Sequence, residues 1–278
     1  MRLAVLAAVV LSVLAQPAAA GRLDQPGAEV RLLFAGVSGD GADVGLEIAL
    51  QPGWKTYWRH PGDAGIPPHV DPAGSTNLAE ATVRFPMPVR FEEAGLTAIG
   101  YTAPVILPLD LRLADPKKPA ELRLDVQIGL CHEICVPLEV KPTLVIDPAV
   151  KPDPAIAARL AAARAALPQP VAEGGIPRIV SLARDDGSFP PSITVEVLVP
   201  SDLAANEADL FVEGPTSEWA LPVPTPIGTT GNPRLWSFGL DGAPSGADLA
   251  AARLRFTFRA GPRAVEQNVG LDGAGAMR

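Results

Sequence analysis

The sequence predicts a mainly β protein in which two β-sandwich domains are joined by a short helix and linker. Apolar residues alternate with other residues in short runs along the chain, for example at 44–50 and 193–199. This alternation is typical of strands with one buried face. The 31 prolines and 26 glycines are spread between such runs, as expected for many short strands connected by turns.

The N-terminal segment, residues 1–20, is interpreted as a secretory signal peptide. Arg2 supplies the positive start, residues 3–15 form the apolar run, and residues 18–20 form an A-x-A cleavage site. This run is shorter than the roughly 20 apolar residues that span a bilayer, which argues against an uncleaved anchor. We therefore expect cleavage near Ala20, export to the periplasm and no membrane insertion of the mature chain.

Charge and motifs exclude several classes of function. The formal net charge is −8 and there are no basic clusters, which argues against nucleic acid and anionic membranes as partners. The second half of the chain contains no GxGxxG, Walker, GxSxG or HExxH motif. No cofactor is expected.

The first predicted domain covers residues 21–148 and contains further alternating runs at 105–111 and 122–128. The second covers residues 175–278 and is expected to have an interaction role. The alternative is that the intervening segment is an insertion within one larger sandwich.

An alanine-rich segment in the linker, residues 149–174, predicts the helix. Within Asp153–Leu167, Asp153 is available as the N-cap and Pro154 occupies the first turn. Pro168 ends the segment, because proline cannot continue a helix.

The chain has two cysteines, Cys131 and Cys135, separated by three residues. A disulfide closing a loop of ~5 residues is worth about 2 kcal/mol in chain entropy, against about 4.7 kcal/mol for ~100 residues. A close pair therefore suits redox exchange or metal capture better than structural stabilisation, although a structural disulfide remains the alternative. Alternating runs on both sides predict a hairpin with the cysteines at its tip, where a disulfide is accessible to an attacking thiolate.

The sequence leaves open what the histidines do at the cysteine pair. His132, when protonated, could stabilise a thiolate, or it could simply face solvent. Two thiolates and an imidazole could also hold Cu(I) or Zn(II). The sequence has no second CxxC or HxxxH, so His60 and His69 could contribute only through tertiary folding.

Three motifs occur in order along the first predicted domain. They are GWKTYWRHPGDAG at residues 53–65, IGY at residues 99–101 and CHEICVP at residues 131–137. Together they resemble the DsbD N-terminal domain family, especially its ScsB-like branch, which is associated with copper tolerance. The corresponding signatures of that branch are GW-x-TYW-x-NPGDSG and C-x-x-I-C-I-P. The resemblance covers about residues 30–145.

This resemblance implies an immunoglobulin-like periplasmic domain that relays electrons without a cofactor. A membrane-embedded thiol reductase of the DsbD, ScsB or CcdA type would reduce it, and it would reduce thioredoxin-like proteins. Cys131 and Cys135 match the redox pair, and Tyr57 falls where an aromatic lies near the cysteines. The segment 96–101 matches the cap loop that shields the pair, with Ala98, Ile99 and Tyr101 as site-flanking residues.

The chain departs from the family pattern at three points. Ala98 and Ile99 stand where well-known members carry an aromatic residue, which implies a looser cap. His60 replaces the usual asparagine. No transmembrane or thioredoxin-like domain follows the match, so we expect a standalone module. It would use a separate membrane protein, work as a soluble exchange module, or have lost the relay.

Overall fold

The computed structural model describes residues 23–25, 27–228 and 230–272. The predicted signal peptide, residues 1–20, and its cleavage near Ala20 lie outside these residues. Within the described ranges, no helix is long and apolar enough to cross a membrane. Strands predominate, which confirms the prediction of a mainly β protein.

The first half of the chain forms antiparallel sheets. One sheet has the strand order β1-β2-β3-β9-β6, another has β12-β11-β4-β8-β7 with β5 also paired to β11, and β10 pairs with β13. The strands are β1 (Leu23–Gln25), β2 (Ala28–Ser38), β3 (Gly41–Leu50), β4 (Lys55–Gly62), β5 (His69–Asp71), β6 (Leu78–Val83), β7 (Val89–Glu93), β8 (Leu96–Tyr101), β9 (Val105–Leu113), β10 (Ala120–Arg123), β11 (Asp125–Cys131), β12 (Cys135–Val140) and β13 (Thr143–Ile146).

The predicted alternating runs lie in these strands, and their apolar side chains form one core. The run at 44–50 lies in β3, and the run at 105–111 lies in β9. The run at 122–128 is not one strand, however. It is interrupted at Leu124, which lies between the end of β10 and the start of β11. The Leu124 N–H donates a hydrogen bond to the Pro142 carbonyl. The alternation continues across the break because both strands bury their apolar side chains in the same core.

The predicted helix is present as α1 (Pro154–Ala165). The Asp153 side chain caps it by accepting hydrogen bonds from the N–H groups of Ala155 and Ile156, at 2.8 and 3.3 Å. Leu160 is fully buried against β2, and a Cβ at Gly45 would lie 2.6 Å from its side chain. The helix therefore packs on the sheet of the first half, besides connecting the two halves.

The second half has its own core between two sheets, with strand orders β14-β21-β20-β17 and β15-β16-β19-β18. A short 3₁₀ helix, Ala205–Glu207, precedes β17. The strands are β14 (Gln169–Pro170), β15 (Arg178–Asp185), β16 (Ser192–Leu198), β17 (Ala208–Glu213), β18 (Thr225–Gly228), β19 (Arg234–Gly239), β20 (Arg253–Ala260) and β21 (Arg263–Gly270).

The two halves pack directly against each other. Phe211 and Val223, from the second half, belong to the core of the first, and the Phe211 ring lies 5.8 Å from that of Trp58. Each half also has a core of its own. Whether 21–148 and 175–278 are independent folding domains stays a prediction.

Candidate functional site

The two cysteines lie directly opposite each other at the end of the β11–β12 hairpin. Two residues further along, Pro137 opposes Gly129 and has no N–H to donate, and the Gly129 carbonyl instead accepts a hydrogen bond from the Thr56 hydroxyl at 2.8 Å. Both pairs are therefore at non-hydrogen-bonded positions, where antiparallel strands approach most closely. The Cα atoms of Cys131 and Cys135 are 4.1 Å apart, and their sulfurs are bonded.

The two cysteines differ in exposure. Cys131 is 0% exposed, because β11 lies between β12 and β4. Cys135 is exposed, because it begins β12 at the edge of the sheet. Apolar residues near it are also exposed, with Ile134 at 76% and Val136 at 38%. A partner from solvent therefore meets Cys135 before it meets Cys131.

Tyr57 on β4 contacts both sulfurs. Its hydroxyl donates a hydrogen bond to Cys131 Sγ at 3.1 Å and lies 3.2 Å from Cys135 Sγ. Glycines make room for its ring, since a Cβ at Gly65 or Gly129 would lie 2.4 or 2.8 Å from ring atoms. Burial, together with the charge of Glu93, raises the pKa of Tyr57 above its ordinary value, so the hydroxyl remains a protonated donor.

The buried side of the pair is covered by the β7–β8 hairpin. Ala98 packs with Tyr57 and Cys131, and Phe91, directly opposite Ala98, completes this cluster. The Phe91 and Tyr57 ring centroids are 6.2 Å apart. Phe91 therefore supplies an aromatic ring beside the pair, opposite the position where the sequence has Ala98.

The segment predicted as a cap loop, residues 96–101, is strand β8. It pairs with β7 on one side and with β4 on the other, so its backbone is held in the sheet. The turn lies before it, at Ala94 and Gly95, which have positive φ values of 50° and 82°. These residues are therefore a strand and not a loop, because the hairpin turns before them; that the segment shields the pair stays a prediction.

Three other predicted flanking residues do not join the cluster around the sulfurs. Ile99 and Tyr101 lie in the main core, where the Tyr101 hydroxyl donates to the Pro86 carbonyl at 2.9 Å. His132 is exposed and its ring lies 5.6 Å from that of Trp54.

Two charged residues at the site were not found from the sequence. A carboxylate oxygen of Glu93, at the end of β7, and the sulfurs of Cys131 and Cys135 all lie within 4.8 Å of one another. Lys55 on β4 pairs with Glu93 at 3.0 Å, and its ammonium lies 5.1 Å from the Phe91 ring centroid. The Ala94–Gly95 turn was the available signal that Glu93 ends a strand.

The histidines proposed as distant metal ligands are not brought to the cysteines. His60 contacts the Leu221 carbonyl at 3.0 Å, and His69 lies exposed on β5. Among the described residues, Glu93 and the two cysteines form the group with metal-ligand spacing.

The other end of β4 holds the second half of the chain. Arg59 makes two hydrogen bonds of 2.8 Å to Glu213 and one of 2.5 Å to Glu266, and its guanidinium lies 4.3 Å from the Trp58 ring. Burial lowers the pKa of Arg59, but the two carboxylates outweigh it and raise the pKa. The GWKTYWRHPGDAG segment thus contacts the disulfide through Tyr57 and the second half through Arg59.

Comparison with known proteins finds a matching family model and a similar solved structure. A family model for the N-terminal domain of the thiol:disulfide interchange protein DsbD matches residues 25–146. The crystal structure of the N-terminal periplasmic domain of ScsB from Proteus mirabilis is similar with a TM-score of 0.70 and 21% sequence identity, covering 90% of this chain and 96% of that one. Comparison with curated proteins finds no match. Residues 25–146 of the chain thus form a domain of the family of the DsbD N-terminal domain.

Proposed function

We propose that this protein is a periplasmic electron relay in which Cys131 and Cys135 pass reducing equivalents to thioredoxin-like proteins. The observation that carries the proposal is the asymmetry of the pair. Cys135 is exposed on an edge strand, whereas Cys131 is buried on the neighbouring strand and accepts a hydrogen bond from Tyr57.

This asymmetry favours a defined order of bond exchange. When the protein is reduced, a donor thiolate attacks Cys135, the bond between the two cysteines breaks, and Cys131 leaves as a thiolate. The donor's second thiolate then attacks the donor sulfur that is bonded to Cys135, and Cys135 leaves as a thiolate. Two electrons have passed from the donor to the pair, and the donor is left as a disulfide.

Delivery to a client runs through the same sulfur. The Cys135 thiolate attacks the client disulfide, and Cys131 then resolves the mixed disulfide by re-forming the bond between the two cysteines. Tyr57 donates a hydrogen bond to Cys131 Sγ, so it supports the buried sulfur when that atom carries the leaving charge.

Family membership and the site surface support the proposed partners. The donor would be a membrane-embedded thiol reductase of the DsbD, ScsB or CcdA type, reached after export through the signal peptide. Exposed Leu96, Ile134 and Val136 give each partner apolar surface to cover around Cys135. The second half would orient partners, because Arg59 fixes it to the strand that carries Tyr57.

Parallel cysteine variants test this order of exchange. In Cys131→Ala, Cys135 keeps its exposed position and has no resolving partner, so the variant should accumulate a mixed disulfide in the periplasm. In Cys135→Ala, the remaining thiol is buried, and far less adduct is expected. The double variant gives the background, and non-reducing electrophoresis with mass spectrometry identifies what is captured.

The outcome decides between the two cysteines. Capture of a thioredoxin-like protein or a membrane reductase by Cys131→Ala supports the relay. Equal capture by both single variants would contradict the assigned order, and capture by neither would refute the relay itself.

A further inference from the structure

We propose that the reduced site is a Zn²⁺ site, formed by Cys131, Cys135 and Glu93 and present only in the dithiol state. The inference rests on the proposed function to the extent that the pair must be reducible. It assigns the site a ligand that the exchange reaction itself does not need.

The ligand set and its placement support zinc. The cysteines are separated by three residues, within the two-to-four-residue spacing usual for zinc-binding pairs. The third ligand comes from a different hairpin, and its oxygen already lies within 4.8 Å of both sulfurs while these are bonded. Three protein ligands and one open position are typical of zinc sites that retain a water.

Charge also favours a divalent ion. In the reduced state two thiolates and Glu93 carry three negative charges, and the ion pair with Lys55 supplies one positive charge. The remaining two charges match one Zn²⁺. A carboxylate ligand suits Zn²⁺ better than Cu(I), which prefers soft sulfur donors.

The surroundings meet two further requirements of a metal site. Tyr57 Oη lies 3.1 and 3.2 Å from the two sulfurs, so its hydroxyl can orient a ligand thiolate as an outer partner. Exposed Cys135 gives the ion a path from solvent. In the disulfide form both sulfurs lack the negative charge that zinc requires, so oxidation removes the site.

Zinc binding and electron transfer would then exclude each other. A bound ion occupies both thiolates and slows their attack on a client. When a client disulfide oxidises the pair, two electrons pass from the two thiolates to that disulfide, the Cys131–Cys135 bond forms, and Zn²⁺ leaves unchanged. The client is left as a dithiol.

Zinc titration of the reduced protein tests the proposal. The protein is reduced and desalted without oxygen, its two thiols are counted, and ZnCl₂ is added in competition with a chromophoric chelator. We expect one Zn²⁺ per reduced protein and none per oxidised protein. Glu93→Gln should weaken binding at least tenfold, whereas the matched neighbour Glu92→Gln should bind as the unsubstituted protein does.

A second measurement separates a lost ligand from a disturbed fold. Co²⁺ in place of Zn²⁺ should give thiolate-to-metal absorption bands in the reduced protein, and these should be altered in Glu93→Gln at an unchanged thermal unfolding midpoint. Equal zinc affinity of Glu93→Gln and the unsubstituted protein, or binding to the oxidised form, would overturn the proposal. If two thiols are counted and exchange proceeds without zinc binding, this inference fails alone; if the thiols cannot be generated, the relay fails with it.

Discussion

Removal of the Tyr57 hydroxyl should raise the thiol pKa of the reduced pair. The hydroxyl lies within hydrogen-bonding distance of both sulfurs, at 3.1 and 3.2 Å. A hydrogen bond to a charged group contributes about 1.5–3 kcal/mol, and 1.36 kcal/mol corresponds to one unit of pKa. Tyr57→Phe keeps the ring that packs on Phe91 and should raise the pKa of the lower-titrating thiol by about 1–2.

The chain offers a matched control, because its second tyrosine is also buried but donates its hydroxyl elsewhere. Tyr101 donates to the Pro86 carbonyl, so Tyr101→Phe should leave the thiol pKa unchanged. The assay is the pH dependence of alkylation of the reduced protein by iodoacetamide. An unchanged pKa in Tyr57→Phe, or an equal change in both variants, would refute the assigned role of this hydroxyl.

Three further predictions concern the assembly around the site. Arg59→Met leaves Glu213 and Glu266 without their cation, and it should lower the free energy of unfolding in urea by about 3 kcal/mol. The exposed Arg112 pair with Glu80 is the control, and Arg112→Met should cost less than about 1 kcal/mol; equal costs would contradict the importance of the Arg59 contacts. Leu160→Ala should cost about 2–5 kcal/mol, since its side chain is fully buried, and a cost near zero would show that α1 does not contribute to the core. A fragment ending at residue 148 lacks α1, so its urea unfolding midpoint should be lower than that of a fragment ending at residue 167. Equal midpoints would show that the helix adds little to the stability of the first half.

Local sequence patterns predicted the cysteine hairpin and the helix α1. Alternation with a period of two predicted the hairpin that carries the cysteines, and the Asp153–Pro154 start predicted α1. Both signals depend on residues close together in the chain. Family resemblance added Tyr57, whose contact with the cysteines crosses more than 70 positions.

The sequence did not predict that Phe91 and Glu93 lie at the site, because the order of strands that are distant in the chain places them there. Phe91 and Glu93 reach the site because β8 pairs with β4 and carries β7 beside it. Periodicity indicates which side chains share a face, but it does not indicate which strands are neighbours. The same reason explains why the contacts of Arg59 with Glu213 could not be predicted.

The most direct test of the relay is the reduction potential of the Cys131–Cys135 bond. The protein is equilibrated across a thiol–disulfide redox series and its free thiols are alkylated and counted by mass spectrometry. An exposed exchange disulfide should have a potential well above about −300 mV, the range of inert structural bridges, and should be reduced rapidly by a dithiol. A bond that stays oxidised under strong dithiol reductant, with no exchange, would contradict the proposed function.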